Sequence, residues 1–238
     1  MTTNSTYKPY PYPANPTRVR VTRGIGRVLG TFLVRDLTCQ TTVNGLECVP
    51  AREPTIIVFN HTNTFDAPVT LFAIPQRDMT ALVKIELFQS IKTAWLVWGW
   101  NMIPIQRGEV DRTALRRAMD VLHSKDMLMV SPEGHRNKDG LRNPHSGVVL
   151  LAKQGNAVIV PVGVSGTEHF FKNIQRLRRT PVTVNIGRPF RIRPDLNRKQ
   201  YAHSADEIMY RIAELIQPPL RGAYADLSKA TTDTLAFV

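Results

Sequence analysis

Two residues five positions apart, His61 and Asp66 in VFNHTNTFDAPV (58–69), are of types that do acid–base chemistry together. An aspartate that accepts from one imidazole nitrogen fixes the ring tautomer and leaves the other nitrogen a better base. By itself the spacing is a weak signal, because a chain with six His and eleven Asp throws up such pairs by chance. Geometry narrows the choice. Five extended residues span up to ~17 Å, and in a continuous helix the two side chains would point about 140° apart. They meet only if the chain turns between them, with His61 in a loop and Asp66 at a helix start. Pro68 and the carboxylate both suit a helix's first turn. The competing reading is a polar turn with no chemistry.

Two further clusters carry charge at the ends of apolar runs. In MVSPEGHRNKDG (129–140) a buried-type run gives way to Ser131, Pro132, Glu133, Gly134, His135 and Arg136. Ligand contacts in α/β proteins gather at such carboxyl ends of strands, although a Pro-Gly turn is what any short loop needs. In NMIPIQRGEVDRTALRRA (101–118) Arg107 follows a short apolar run, a position suited to a phosphate. A covalent nucleophile has no support: GVSGT (163–167) is not a G-x-S-x-G elbow, and neither Cys39 nor Cys48 lies near a histidine in sequence. A metal-dependent hydrolase gathering His61, Asp66, Glu133, His135 and His145 is a rival, without HExxH-like spacing.

Elements able to position these residues alternate along the chain. β-branched or apolar runs at 55–59, 79–84, 101–105, 126–131, 157–164 and 182–186 read as strands. Helical periodicity falls at 111–124, 146–154 and 205–217, with Asp111 as N-cap and Gly155 at a C-terminus. The expected fold is one α/β domain with a largely parallel central sheet flanked by helices. Before it, Val21, Ile25, Val28, Leu29 and Phe32 recur at helical spacing among five arginines between Arg18 and Arg35. That is a basic amphipathic helix, either lying on an anionic membrane or packed on the domain as an ordinary surface helix. Gly24 and Gly26 weaken it. Trp95, Trp98 and Trp100 on one apolar run suit a buried core or an interfacial surface. The expected division is a draped or disordered tail at 1–16, a membrane-surface arm at 17–52, the catalytic domain at 53–217 and a C-terminal tail at 218–238.

The 238 residues suffice for one sizeable core. An excess of 31 basic over 19 acidic residues, net +12, calls for an anionic partner without choosing among nucleic acid, lipid and phosphorylated metabolites. The basic stretch 172–199 holds nine Lys or Arg against Asp195 alone, a solvated face or a surface for phosphate headgroups. Two cysteines read as reduced thiols. No apolar run reaches 18 residues, and residues 1–16 have no signal-peptide core. The expected location is the cytoplasm, peripherally on the inner face of a membrane.

Taken together and in order, the clusters resemble the glycerolipid acyltransferases of the 1-acylglycerol-3-phosphate (lysophosphatidic acid) acyltransferase type. The Asn-His-x4-Asp motif falls on Asn60, His61 and Asp66, and a Lys-x-Glu-Leu segment on Lys84, Glu86 and Leu87. An apolar segment ending in arginine falls on Ile103 to Arg107. The Pro-Glu-Gly-x-Arg core falls on Pro132 to Arg136, and Val-Pro-Val on Val160, Pro161 and Val162. The similarity runs from about residue 53 to 190. Asn63, Ser131, His135 and Asn137 depart from the family's usual residues, and these differences bear on the acceptor.

The resemblance implies transfer of an acyl group from acyl-CoA or acyl carrier protein to the hydroxyl of 1-acylglycerol-3-phosphate, giving phosphatidic acid. It implies His61 as general base held by Asp66, with no covalent intermediate and no cofactor. Lys84, Arg107 and Arg136 are implied phosphate contacts; Glu133 and Gly134 are implied to shape the acceptor pocket. Other acceptors fit the same chemistry, among them a lysophospholipid, glycolipid or acylated amino acid. A non-catalytic protein binding anionic lipid is the alternative of another class.

Overall fold

Runs of Val, Ile, Leu and Met whose side chains alternate between two sides build a sheet with helices on both faces. The computed structural model describes residues 16–90, 93–106 and 111–238. Its strands are β1 (Cys39–Asn44), β2 (Thr55–Phe59), β3 (Met79–Lys84), β4 (Ile103–Ile105), β5 (Met127–Val130), β6 (Val158–Ser165), β7 (Thr180–Ile186), β8 (Phe190–Ile192) and β9 (Leu235–Phe237). The helices are α1 (Pro16–Gly30), α2 (Asp66–Ala73), α3 (Glu86–Gln89), α4 (Ala94–Gly99), α5 (Arg112–His123), α6 (Gly147–Gln154), α7 (Phe170–Ile174) and α8 (Tyr201–Ala213). The sheet order is β1-β7-β6-β2-β5-β3-β4. Neighbours run parallel except β6 and β7; β8 pairs antiparallel with β6, and β9 with β8. This is the largely parallel α/β architecture expected from the alternation.

Every residue of β2, β5 and β6 is buried, as strands covered on both faces require. Ile56, Val58, Leu128, Val130 and Ile159 face a layer made by α5, α6 and α8. Their neighbours Ile57, Phe59, Met127, Met129, Val158 and Val160 face the other way, toward α2 and α7. Asp111 caps α5 as expected, accepting from the Ala114 N–H at 2.9 Å. Gly155 caps the C-terminus of α6 as expected, though with an ordinary φ of −85°; it is Asn156 that takes the left-handed conformation, with φ 43°. Asn tolerates that region better than most residues. The strand expected at 101–105 shortens to β4 because Asn101, at φ 59°, still belongs to the turn leaving α4. α8 begins upstream of 205, where a capping box at Asn197 starts a helical turn that runs into it.

The chain past α8 returns to the sheet as β9. It is pinned by the buried Glu207 carboxylate, which accepts from the N–H groups of Asp233 (2.6 Å) and Thr234 (3.0 Å) and from the hydroxyls of Thr231 and Thr234. At the other end, α1 continues as a π-helical segment, Thr31–Thr38, and leads into β1, which pairs with β7.

The way α1 sits is unusual. Its inner side carries Arg23, Gly26 and Gly30, with Gly26 against the Trp100 ring and Gly30 against the Phe72 ring, where a Cβ would collide. The buried Arg23 guanidinium donates to the Thr80 hydroxyl (2.6 Å) and the Trp100 carbonyl, and pairs with Asp78 at 3.3 Å. The apolar residues Val21, Ile25, Val28, Leu29 and Phe32 point outward and are 53–72% exposed. Trp100 itself is core, its indole N–H donating to the Met79 carbonyl at 3.0 Å. Among the described residues no helix is long and apolar enough to cross a membrane.

Candidate active site

The parallel register of β2 with β5 sets Val58 beside Val130, so the residues that follow both strands emerge side by side at one edge of the sheet. Those residues are Asn60 and His61 on one strand end, and Ser131, Pro132 and Glu133 on the other. Asn60 is fully buried and clasps β6: its amide donates to the Val164 carbonyl (2.9 Å) and its carbonyl accepts from the Val164 N–H (2.7 Å). With the exit of β2 fixed in this way, the chain turns through 62–65 into α2, as the His–Asp spacing demanded.

Asp66 opens α2, where the helix N-terminus favours a negative charge. Its carboxylate is fully buried and has no Lys or Arg paired with it among the described residues. It accepts instead from the Asn63 N–H (2.6 Å), the Thr62 hydroxyl (3.3 Å) and the Thr167 hydroxyl. His61 Nδ1 lies 3.6 Å from Asp66 Oδ2, outside hydrogen-bond range, and is buried with no other partner. The ring tilts on Phe59 at a centroid distance of 5.6 Å. Nδ1 therefore faces the carboxylate, and Nε2 is the nitrogen turned away from it, on a side chain that is 17% exposed.

The main chain of His61 is held on both sides. Its N–H donates to Glu133 Oε2 (3.4 Å), and its carbonyl accepts from the Asn137 N–H (2.9 Å). Glu133 is fully buried and also accepts from the Asn137 side chain (2.7 Å) and the Arg142 N–H (2.9 Å). Burial pushes its carboxyl above the ordinary glutamate range, opposed by these same hydrogen bonds. With its oxygens engaged, Glu133 braces the two strand-end loops against each other. Gly134 sits at φ 68°, a backbone conformation that favours glycine; a Cβ there would come within 2.9 Å of the exposed His145 ring, which is free to move aside. The exposed Arg136 reaches across to donate to the Thr64 hydroxyl in the His61–Asp66 turn.

Of the residues singled out in the sequence, His61, Asp66, Glu133, Gly134 and Arg136 thus come together. Lys84 ends β3, on the same edge of the sheet but beyond β5, and is half-buried with no ion pair among the described residues. Arg107 lies outside the described residues. The five possible metal ligands His61, Asp66, Glu133, His135 and His145 do not converge. Among the described residues the His/carboxylate group within reach of one ion is His203, Glu207 and Asp233, on α8 and the C-terminal segment. Sequence reasoning missed Thr167, which binds Asp66 from 101 residues away, and the bridging role of Asn137. The side chain of Asn63 is occupied locally, accepting from the Phe65 N–H at 3.2 Å.

A family model described as Acyltransferase matches residues 40–165, more than half of the chain and all of the dyad's supports except Thr167. A 1-acyl-sn-glycerol-3-phosphate acyltransferase of Streptococcus pneumoniae is 28% identical over 138 residues, which is 58% of this chain and 50% of the relative. The chain thus spans about half the length of that curated relative. Among solved structures, the 1-acyl-sn-glycerophosphate (LPA) acyltransferase PlsC from Thermotoga maritima superposes with a TM-score of 0.62 at 24% identity, covering 80% of this chain and 77% of that one. At that identity the superposition establishes a shared fold.

Proposed function

This chain belongs to the acyltransferase family, and on that premise we propose that it moves a fatty acyl group from acyl-CoA, or acyl carrier protein, to the free hydroxyl of 1-acylglycerol-3-phosphate, giving phosphatidic acid. The observation that carries the reading is the buried Asp66 carboxylate facing His61 Nδ1, which leaves Nε2 for a substrate hydroxyl. Nε2 takes the hydroxyl proton as the oxygen attacks the thioester carbonyl. The C–S bond then breaks, and the departing thiolate takes the proton back from the imidazolium. Thiolate leaves readily, so the sequence needs no acyl-enzyme. General-base assistance contributes ~10²–10⁴ in rate, and positioning supplies much of the rest. Lys84, Arg107 and Arg136 are the proposed contacts for the acceptor phosphate, and Glu133 and Gly134 hold the loop beside it.

The acceptor's identity draws support from the names of the two relatives. The outward apolar side of α1, set among arginines, supports peripheral attachment to an anionic membrane at its cytoplasmic face. The experiment is thiol release from acyl-CoA across a panel of lysophospholipid, glycolipid and acylated amino acid acceptors, with mass spectrometry of the product. His61→Ala should abolish release while leaving the melting curve intact. Turnover that survives the substitution rejects the mechanism, and liposome binding without turnover identifies a lipid-binding protein instead.

A further inference from the structure

Exposed apolar side chains are not scattered over this protein. Of the twelve large hydrophobic residues that stand exposed among those described, seven lie on α1 and its π-helical continuation. Three more, Phe171 (51% exposed), Ile174 (41%) and Leu177 (96%), lie on α7 and the turn that ends it. Leu177 is in the left-handed region at φ 53°, a helix-ending position that ordinarily takes Gly or Asn. A leucine there, almost wholly in solvent, is costly for an isolated domain and serves nothing in its core.

The two patches share one side of the molecule. Phe170 is buried in the same layer as Val69 of α2 and Cys39, against which Val34 of the arm also packs. Arg179 ties the segment after α7 to the end of the arm, its guanidinium donating to the Cys39 carbonyl at 2.9 and 3.2 Å. Around the exposed apolar residues stand Lys172, Arg176 and Arg178, all exposed and without an ion pair among the described residues; in sequence, Glu168 is the one acid between 167 and 194. Apolar tips ringed by cations complement an anionic bilayer, where the tips enter the acyl boundary and the cations meet phosphates.

We infer that α7 and its closing turn form a second membrane-docking element that sets the mouth of the active site onto an anionic phospholipid bilayer. The inference rests on the proposed lipid acceptor, since a site that draws its acceptor from a bilayer must open close to one. The segment is seated directly on the dyad. Phe170 stacks on Phe65, the residue before Asp66, at a centroid distance of 3.4 Å, and Thr167 at the start of the segment donates to Asp66.

The test places a nitrobenzoxadiazole probe at position 177 through Leu177→Cys in a Cys48→Ser background, Cys39 being buried. A Lys199→Cys control carries the same probe ahead of α8, on the opposite face. With vesicles of phosphatidylcholine plus phosphatidylglycerol, emission at 177 should shift to the blue and emission at 199 should not; phosphatidylcholine alone should give a weaker shift. Replacing Ile174 and Leu177 together by Ser should lower turnover of vesicle-embedded acceptor about tenfold, and leave turnover of a short-chain, monomeric acceptor unchanged; Phe171 is kept because its ring also packs edge-on against Phe65. An unshifted probe at 177 on protein that is bound to vesicles overturns the inference. So does a double variant impaired only with acyl carrier protein as donor, which would make the patch a surface for that acidic protein. A blue shift in a protein that releases no thiol with any acceptor supports the docking element and rejects acyl transfer.

Discussion

Replacing Asp66 by Asn removes one charge from the site with almost no change in volume. The isostere has one way to satisfy its neighbours. Its carbonyl oxygen must remain on the Asn63 N–H, which turns the new amide toward Thr167, whose hydroxyl can rotate to accept. The atom left facing His61 is then a neutral oxygen. At the 3.6 Å separation of Nδ1 and Oδ2, a full charge pair is worth about 5 kcal/mol at an effective dielectric of ~20 and about 1 kcal/mol in water. A wholly buried carboxylate beside a mostly buried ring lies toward the upper end, so loss of about 3–4 kcal/mol of imidazolium stabilisation is expected. That corresponds to about 10²- to 10³-fold in kcat. The assay is thiol release at saturating acyl donor over a range of acceptor concentrations, with a circular dichroism melt of the same preparation. The fall should be in kcat with KM little changed, because the imidazolium exists only once the proton has moved. A variant that folds and keeps kcat within about threefold of the parent would refute the assignment of His61 as the base and of Asp66 as its partner.

Thr167→Val should lower kcat about tenfold by leaving Asp66 Oδ1 without its donor, and Thr167→Ser should restore it; equal rates in both variants would remove Thr167 from the site. Arg136→Ala should raise the acceptor KM about tenfold at near-constant kcat, measured by the same thiol assay, and an unchanged KM takes Arg136 out of phosphate binding. Glu207→Gln should destabilise the fold by about 2–3 kcal/mol at neutral pH, read by thermal melting. Although burial acts to raise the Glu207 carboxyl, the hydrogen bonds from Thr231, Thr234 and Asp233 outweigh it and hold it below the ordinary glutamate range. The stabilisation is therefore present above about pH 4.3 and lost as pH falls through the depressed value, so parent and variant melts should converge in acid.

The approach of His61 to Asp66 was legible because it is local: five residues, a required turn and a helix start can be argued from chain geometry alone. β2 and β3 lie where their β-branched runs end, and α5 starts at its aspartate cap. Strand order is another matter. That β6 lies against β2, so that Thr167 lands on Asp66 and Val164 on Asn60, depends on packing that no single stretch encodes. The polar CQTTVN of β1 gives no strand pattern, yet it pairs with β7 in full register. The direction of α1 was hidden too. Periodicity identified an amphipathic helix, but which side faces the domain was decided by Gly26 and Gly30 against two aromatic rings and by Arg23 against Asp78.

The clasp of Asn60 on Val164 and the bond of Thr167 to Asp66 join residues 104 and 101 positions apart. Closing loops of that length is slow compared with forming a helical turn. His61 and Asp66 are near neighbours in the chain, yet the carboxylate is oriented only after β6 has docked beside β2. During refolding, recovery of turnover should follow that long-range closure and lag behind the return of helical signal. A nascent chain that has not yet delivered Thr167 holds the motif without its geometry.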